Sequence, residues 1–88
     1  MFTLRLTDNF KEKLIGLDSQ SQKAIRKALR FLQNNPKHPS LRTKKMEGHD
    51  YIFEASANMD IRMTFHFEKP DTIVLRNCGH HDEALGNP

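Results

Sequence analysis

Eight residues in the second half of the chain, Asp60-Ile61-Arg62-Met63-Thr64-Phe65-His66-Phe67, restrict the possible folds more than any other stretch. Side chains on a strand point alternately to opposite faces. Ile61, Met63, Phe65 and Phe67 therefore fall on one side, and Asp60, Arg62, Thr64 and His66 on the other. The apolar side needs a cover and belongs to a core. The opposite side presents an arginine, a histidine, a hydroxyl and a carboxylate to whatever lies above the sheet, and chemistry is expected there.

The 88 residues suffice for one domain; at this size roughly 60–65% of the unfolded surface can be buried. The chain is 28% charged with a formal charge of +3, so a polyanion or an acidic protein segment suits it as a partner. The single cysteine, Cys78, excludes an intrachain disulfide, as befits a reducing compartment. No apolar run approaches the ~18 residues that span a bilayer, and the N-terminus lacks a signal-peptide pattern. A cytoplasmic protein without membrane association is expected.

Phe2, Leu4 and Leu6 alternate with Thr3, Arg5 and Thr7, predicting a short first strand. Thr7 or Asp8 can cap a helix whose apolar stripe is Phe10, Leu14 and Leu17 and which stops near Gly16-Leu17-Asp18. Ser19-Gln20-Ser21-Gln22 has capping-box spacing and opens a second helix. Ala24, Ile25, Ala28, Leu29 and Leu32 form its apolar stripe, Lys23, Arg26, Lys27 and Arg30 its basic face, and Asn34-Asn35-Pro36 its end. Lys37-His38-Pro39-Ser40 reads as a loop, and Leu41 to Glu47 as an extended basic segment. Tyr51, Phe53, Ala55 and Ala57 alternate with Ile52, Glu54 and Ser56 in a strand that precedes the central one. Thr72 to Asn77 is a third β-rich run, leading to Cys78-Gly79-His80-His81-Asp82-Glu83-Ala84-Leu85 and a short polar tail. The order β-α-α-β-β-β implies an α+β domain, with a helical hairpin covering one face of a mostly antiparallel sheet.

The two-helix start, the Pro-x-x-Pro loop into Leu-Arg-x-Lys-Lys-Met-x-Gly, the Asp-Ile-Arg-Met-Thr-Phe strand and the closing Gly-His-His-Asp-Glu-Ala together resemble the RelE/ParE toxin superfamily, over nearly the whole chain. The resemblance implies the RelE-like, microbial ribonuclease-like fold and the toxin role of a bacterial toxin–antitoxin module. Its RelE-like branch cuts messenger RNA in the ribosomal A site, and its ParE-like branch poisons DNA gyrase. It also implies a cognate antitoxin as partner, mRNA and the ribosome as targets, and contact with operator DNA only through the antitoxin.

Cleavage of RNA by its own ribose 2′-hydroxyl needs a base for that proton, an acid for the leaving 5′-oxygen and positive charge for the phosphorane. Histidine, with an ordinary pKa of about 6.5, suits both proton roles, and arginine the third. No cofactor or metal is called for. Arg62 matches the arginine that the family keeps on the central strand and is assigned to the phosphate; the plainer alternative is an ion pair with Glu54 or Asp60. His80 and His81 end the last strand, where histidine-using members carry an acid or base, and His81 is favoured, with Asp82 to orient it. Adjacent residues on extended chain face opposite ways, so only one of the two is expected at the phosphate. Glu54 is a candidate base or a partner for Arg62. Arg42, Lys44 and Lys45 are candidate RNA or antitoxin contacts. Tyr51 is a stacking candidate, and His66, about 13 Å along the strand from Arg62, a substrate contact rather than a catalyst. A metal site built on Cys78 and the nearby histidines is disfavoured, because no paired ligand spacing is present.

The best-known RelE pattern has lysines on the strand before the central one, where this chain has Ile52, Glu54 and Ser56. It ends on an arginine and a tyrosine where this chain has its histidine pair. Activity here is therefore expected to run through histidine acid–base chemistry. The alternatives are a ParE-like inhibitor of gyrase and an inactivated, antitoxin-binding relative.

Overall fold

The computed structural model describes all 88 residues. In chain order they form β1 (Thr3–Leu6), α1 (Asp8–Ile15), α2 (Ser19–Asn34), a 3₁₀ turn (Pro39–Leu41), β2 (Lys44–Lys45), β3 (Phe53–Ser56), β4 (Ile61–Glu68), β5 (Thr72–His80) and α3 (His81–Gly86). The five strands make one sheet in the order β1-β5-β4-β3-β2. β1 runs parallel to β5, and every other pair is antiparallel. The α+β class and the β-α-α-β-β-β framework are those expected from the sequence, and the two-residue strand β2 and the helix α3 are additions to it.

Thr7 caps α1 by accepting from the Phe10 amide (3.1 Å) while its own hydroxyl donates to the Leu75 carbonyl (2.9 Å). One side chain thus starts the helix and ties it to the sheet. The capping-box reading of α2 is corrected. Its N-cap is Asp18, whose carboxylate accepts from Ser21 N at 2.9 Å, and a carboxylate is the stronger acceptor at the positive end of a helix. Those bonds hold the Asp18 carboxyl below the usual range. Gln22 instead donates to the carbonyls of Leu14, Ile15 and Leu17, closing the C-terminal end of α1.

The core joins Phe10 of α1 and Ile25, Ala28 and Leu32 of α2 to Ile61, Met63 and Phe65 of β4 and Ile73, Leu75 and Cys78 of β5. Leu41 reaches it because the Pro39–Leu41 turn folds that residue inward. Each large apolar side chain removed from water contributes about 1.5–3 kcal/mol.

The structure departs from the expected pattern at several places. β4 begins at Ile61, and Asp60 lies exposed in the preceding bend. Phe67 is 42% exposed at the edge of the core, against Phe2, Phe53 and Phe65. Tyr51 precedes β3, and the residue turned inward there is Ile52. The basic segment is extended only at Lys44–Lys45, because Arg42 takes a left-handed conformation (φ 49°).

The most consequential departure lies in β5. Thr64 pairs with Asn77 and Phe65 with Leu75, so Arg76 is an extra residue in the ladder, a β-bulge. The bulge shifts the alternation of β5 by one residue. Cys78, rather than Asn77, returns to the core, and Arg76 and Asn77 both address the polar face.

Candidate active face

The polar face of the sheet carries Ser56 and Glu54 of β3 opposite Arg62 and Thr64 of β4. The bulge adds Arg76 and Asn77 of β5, which reach His66 and the backbone of Asn87.

Arg62 forms no ion pair with Glu54 or Asp60, which corrects that alternative. Its Nη1 donates instead to the carbonyls of Asn58 (2.8 Å), Met59 (3.1 Å) and Ile61 (3.3 Å) in the β3–β4 turn. The guanidinium is clamped from one side, and its other nitrogens donate to no protein acceptor. Arg62 borders an open hollow of about 430 Å³ whose other lining residues are Pro39, Ser40, Arg42, Ser56, Asn58 and Met59. The left-handed Arg42 therefore stands at the same hollow as Arg62, and two serines supply hydroxyl donors. Guanidinium groups with hydroxyls beside them suit a phosphate.

His80 and His81 border a second hollow with Met59, Asp60, Asp82 and Glu83. Met59 lines both hollows, but His80 pairs with the core residue Ile61 and therefore falls on the helix side of the sheet, away from Arg62. His80 ends β5 opposite Ile61, and His81 opens α3. Both are exposed, and His81 Nδ1 stands 3.2 Å from an Asp82 carboxylate oxygen. A contact this open to water adds little stability. Glu54 lies on β3 opposite Thr64 and Lys44 and forms no ion pair. Lys44 and Lys45 are both exposed on the edge strand.

His66 lies in a separate group whose key member, Arg76, was missed in the sequence. Arg76 Nη1 donates to His66 Nδ1 at 2.8 Å, which leaves the proton on Nε2, 3.3 Å from Glu68. Glu68 also accepts both bonds of Arg5 (2.9 Å each). The hydrogen bond to His66 and the Arg5 guanidinium hold the Glu68 carboxyl below its usual range. Tyr51, 59% exposed, meets the edge of His66 at 5.8 Å, and the Arg76 guanidinium lies 5.7 Å from its ring. Two polar residues in succession, Arg76-Asn77, interrupt the apolar run of β5, a pattern that by itself does not mark a bulge.

An overlooked signal is the distribution of charge. From Ser19 to Met46 there is no aspartate or glutamate, yet Lys23, Arg26, Lys27, Arg30, Lys37, Arg42, Lys44 and Lys45 all fall there. All eight are exposed and none forms an ion pair. Lys27 lines a hollow that shares Ser40 and Ser56 with the Arg42–Arg62 hollow, so the positive field of α2 runs up to the site.

Cys78 is buried beneath α1, its Sγ 3.8 Å from the Phe10 carbonyl. Burial pushes its thiol up to about 11. No group of three or more histidine, cysteine, aspartate or glutamate side chains is arranged to hold a metal ion. No helix is long and apolar enough to cross a membrane.

Neither a family model nor a curated protein matches the sequence, but solved structures match the fold. A metal-bound toxin from Helicobacter pylori is 22% identical, with a TM-score of 0.74 over 94% of this chain and 98% of that one. The YoeB/ParE toxin from Agrobacterium tumefaciens is 12% identical, with a TM-score of 0.75 over 90% and 98%. In the RelB–RelE antitoxin–toxin complex from Methanococcus jannaschii the corresponding values are 19%, 0.73, 90% and 92%. The chain has the RelE-like toxin fold, as the sequence resemblance implied.

Proposed function

We propose that this chain is the toxin of a toxin–antitoxin module and an endoribonuclease that cleaves mRNA, with a cognate antitoxin as its partner. The observation that carries the reading is the junction at Met59 of two hollows, one bordered by Arg42 and Arg62 and the other by His80 and His81. In this reading a scissile phosphate held by the arginines is served by His81 from the neighbouring hollow.

In this reading the ribose 2′-oxygen attacks phosphorus and the bond to the 5′-oxygen breaks. One protonatable group takes the 2′-hydroxyl proton and another delivers a proton to the leaving oxygen. His81 serves as one of them, oriented by Asp82, with Glu54 of the polar face as the second. Arg62 stabilises the charge gathering on the phosphorane oxygens, and the carbonyl clamp on Nη1 fixes its aim before substrate arrives. Arg42, Lys44 and Lys45 neutralise flanking phosphates. Tyr51, backed by Arg76 and His66, offers a platform on which an unstacked base can lie. The acid-free surface from α2 to β2 suits the RNA-rich setting of the ribosome or an acidic antitoxin segment.

The test is incubation of the purified chain with mRNA fragments, free and ribosome-bound, followed by analysis of the new ends. This chemistry leaves 2′,3′-cyclic phosphate and 5′-hydroxyl termini, and Arg62→Ala or His81→Ala abolishes them. Ends of the opposite polarity, or cleavage indifferent to both substitutions, would reject the proposal.

A further inference from the structure

Thr64 belongs to the polar face of β4 yet is completely buried. Its cover is the segment after α3. The Pro88 backbone oxygen accepts from Arg76 Nε at 2.8 Å and lies 3.3 Å from Thr64 Oγ1, whose one proton it shares with the Asn77 carbonyl at 3.4 Å, and the Asn87 carbonyl accepts from Asn77 Nδ2 at 2.9 Å. We propose that Asn87–Pro88 is a displaceable strap that closes the Thr64–Arg76–Asn77 donors in the free protein and yields them to an RNA phosphate oxygen on binding. The inference rests on the ribonucleic substrate proposed above and concerns the regulation of that face.

Three observations carry it. First, a guanidinium and a hydroxyl converge on one backbone oxygen, which is the arrangement a phosphate oxygen would receive from the same two groups. The strap thus mimics the ligand with its main chain. Second, the strap is seated by these bonds and by little else. Asn87 is exposed, Pro88 is only half-buried and has no amide proton to give, and Gly86 before them is exposed as well. No large apolar side chain anchors the segment, so a competing acceptor can replace what holds it. Third, the strap lies at the middle of the face. Thr64 stands two residues from Arg62 on one side and two from His66 on the other, so an RNA strand reaching from the arginine hollow to Tyr51 must cross the place that Pro88 fills. Arg76 stays oriented when the strap leaves, because Nη1 keeps its bond to His66 Nδ1.

The test compares the full chain with a chain ending at Gly86, using a fluorescein-labelled 2′-O-methyl RNA oligonucleotide, which binds but lacks the nucleophile for cleavage. Removing the strap is expected to tighten binding by roughly fivefold to a hundredfold, the factor that a few net hydrogen bonds represent. Equal or weaker binding by a shortened chain with an unchanged circular dichroism spectrum overturns the strap. Binding by neither form overturns the RNA reading itself, a distinct result.

A second measurement keeps the chain whole. The protein has no tryptophan, and Asn87 is exposed and bonds Asn77 through its carbonyl, so Asn87→Trp places a single reporter on the strap. Acrylamide quenching of that tryptophan should increase when the oligonucleotide saturates the protein. Unchanged quenching in a complex that anisotropy shows to be formed would overturn the displacement.

Discussion

Arg62 lies on β4 and His81 opens α3, and if both serve the proposed phosphate their substitutions should separate chemistry from folding. Neither side chain belongs to the apolar core. Arg62→Ala should lower the cleavage rate by about 10²–10³ and His81→Ala by about 10²–10⁴. Melting temperatures should stay within a few degrees of wild type, checked by kinetics and calorimetry on the same samples. Cys78 gives a prediction with a definite sign. Its folded thiol is pushed up to about 11, so from about pH 9 upward the unfolded chain loses this proton first. Its contribution is fully present below the ordinary thiol range and is lost as pH rises toward 11. Urea titrations between pH 8 and 10.5 should show that slope in wild type and its absence in Cys78→Ala. The same burial should make Cys78 slow to react with a thiol reagent until the protein unfolds. Among single residues, Arg62 and the histidine pair were picked out by the family resemblance and Arg42 by its place in a basic run. Arg76 was not, because its place on the polar face depends on a bulge, and a one-residue slip in the ladder reassigns every side chain beyond it.

At the scale of elements, two junctions hold the site in place. Thr7 starts α1 and bonds the Leu75 carbonyl of β5, so Thr7→Ala should cost about 1–2 kcal/mol in chemical denaturation. Gly79, the penultimate residue of β5, has a φ of 151°, a conformation L residues rarely adopt, although a Cβ there would meet only ordinary contacts with Glu83. Gly79→Ala should therefore cost about 1–3 kcal/mol through the backbone alone and move the histidine pair. The loss is measurable by denaturation, and the movement by the chemical shifts of both imidazoles. The helices and central strands could be read from periodicity, because each buries one face. The end of the chain could not. Its short polar run became α3 and a strap over Thr64, held by main-chain oxygens that leave no pattern in residue types.

The whole molecule is a sheet with two unlike sides, an apolar one under α1 and α2 and a polar one edged by cations. Eight exposed lysines and arginines fall in one acid-free stretch, so binding of single-stranded RNA should weaken steeply with salt. The slope of log affinity against log salt should approach about −0.7 for each phosphate neutralised. Replacing Lys44 and Lys45 by glutamine should make that slope shallower by about one unit and leave the melting temperature unchanged. A slope unaffected by that change would place the bound strand elsewhere. The α+β architecture was legible because few arrangements of two amphipathic helices bury one side of such a sheet. The choice between cutting RNA and inhibiting another protein was not, since that depends on whether side chains from four segments meet one phosphate.

The most direct test of the central claim is induced expression of the wild-type chain and its Arg62→Ala form in bacteria, with primer extension on an abundant message and DNA supercoiling measured in parallel. The account predicts new cleavage ends with the wild type, none with Arg62→Ala, and unaltered supercoiling with both. Intact message with altered supercoiling, or cleavage that persists in Arg62→Ala, would contradict it.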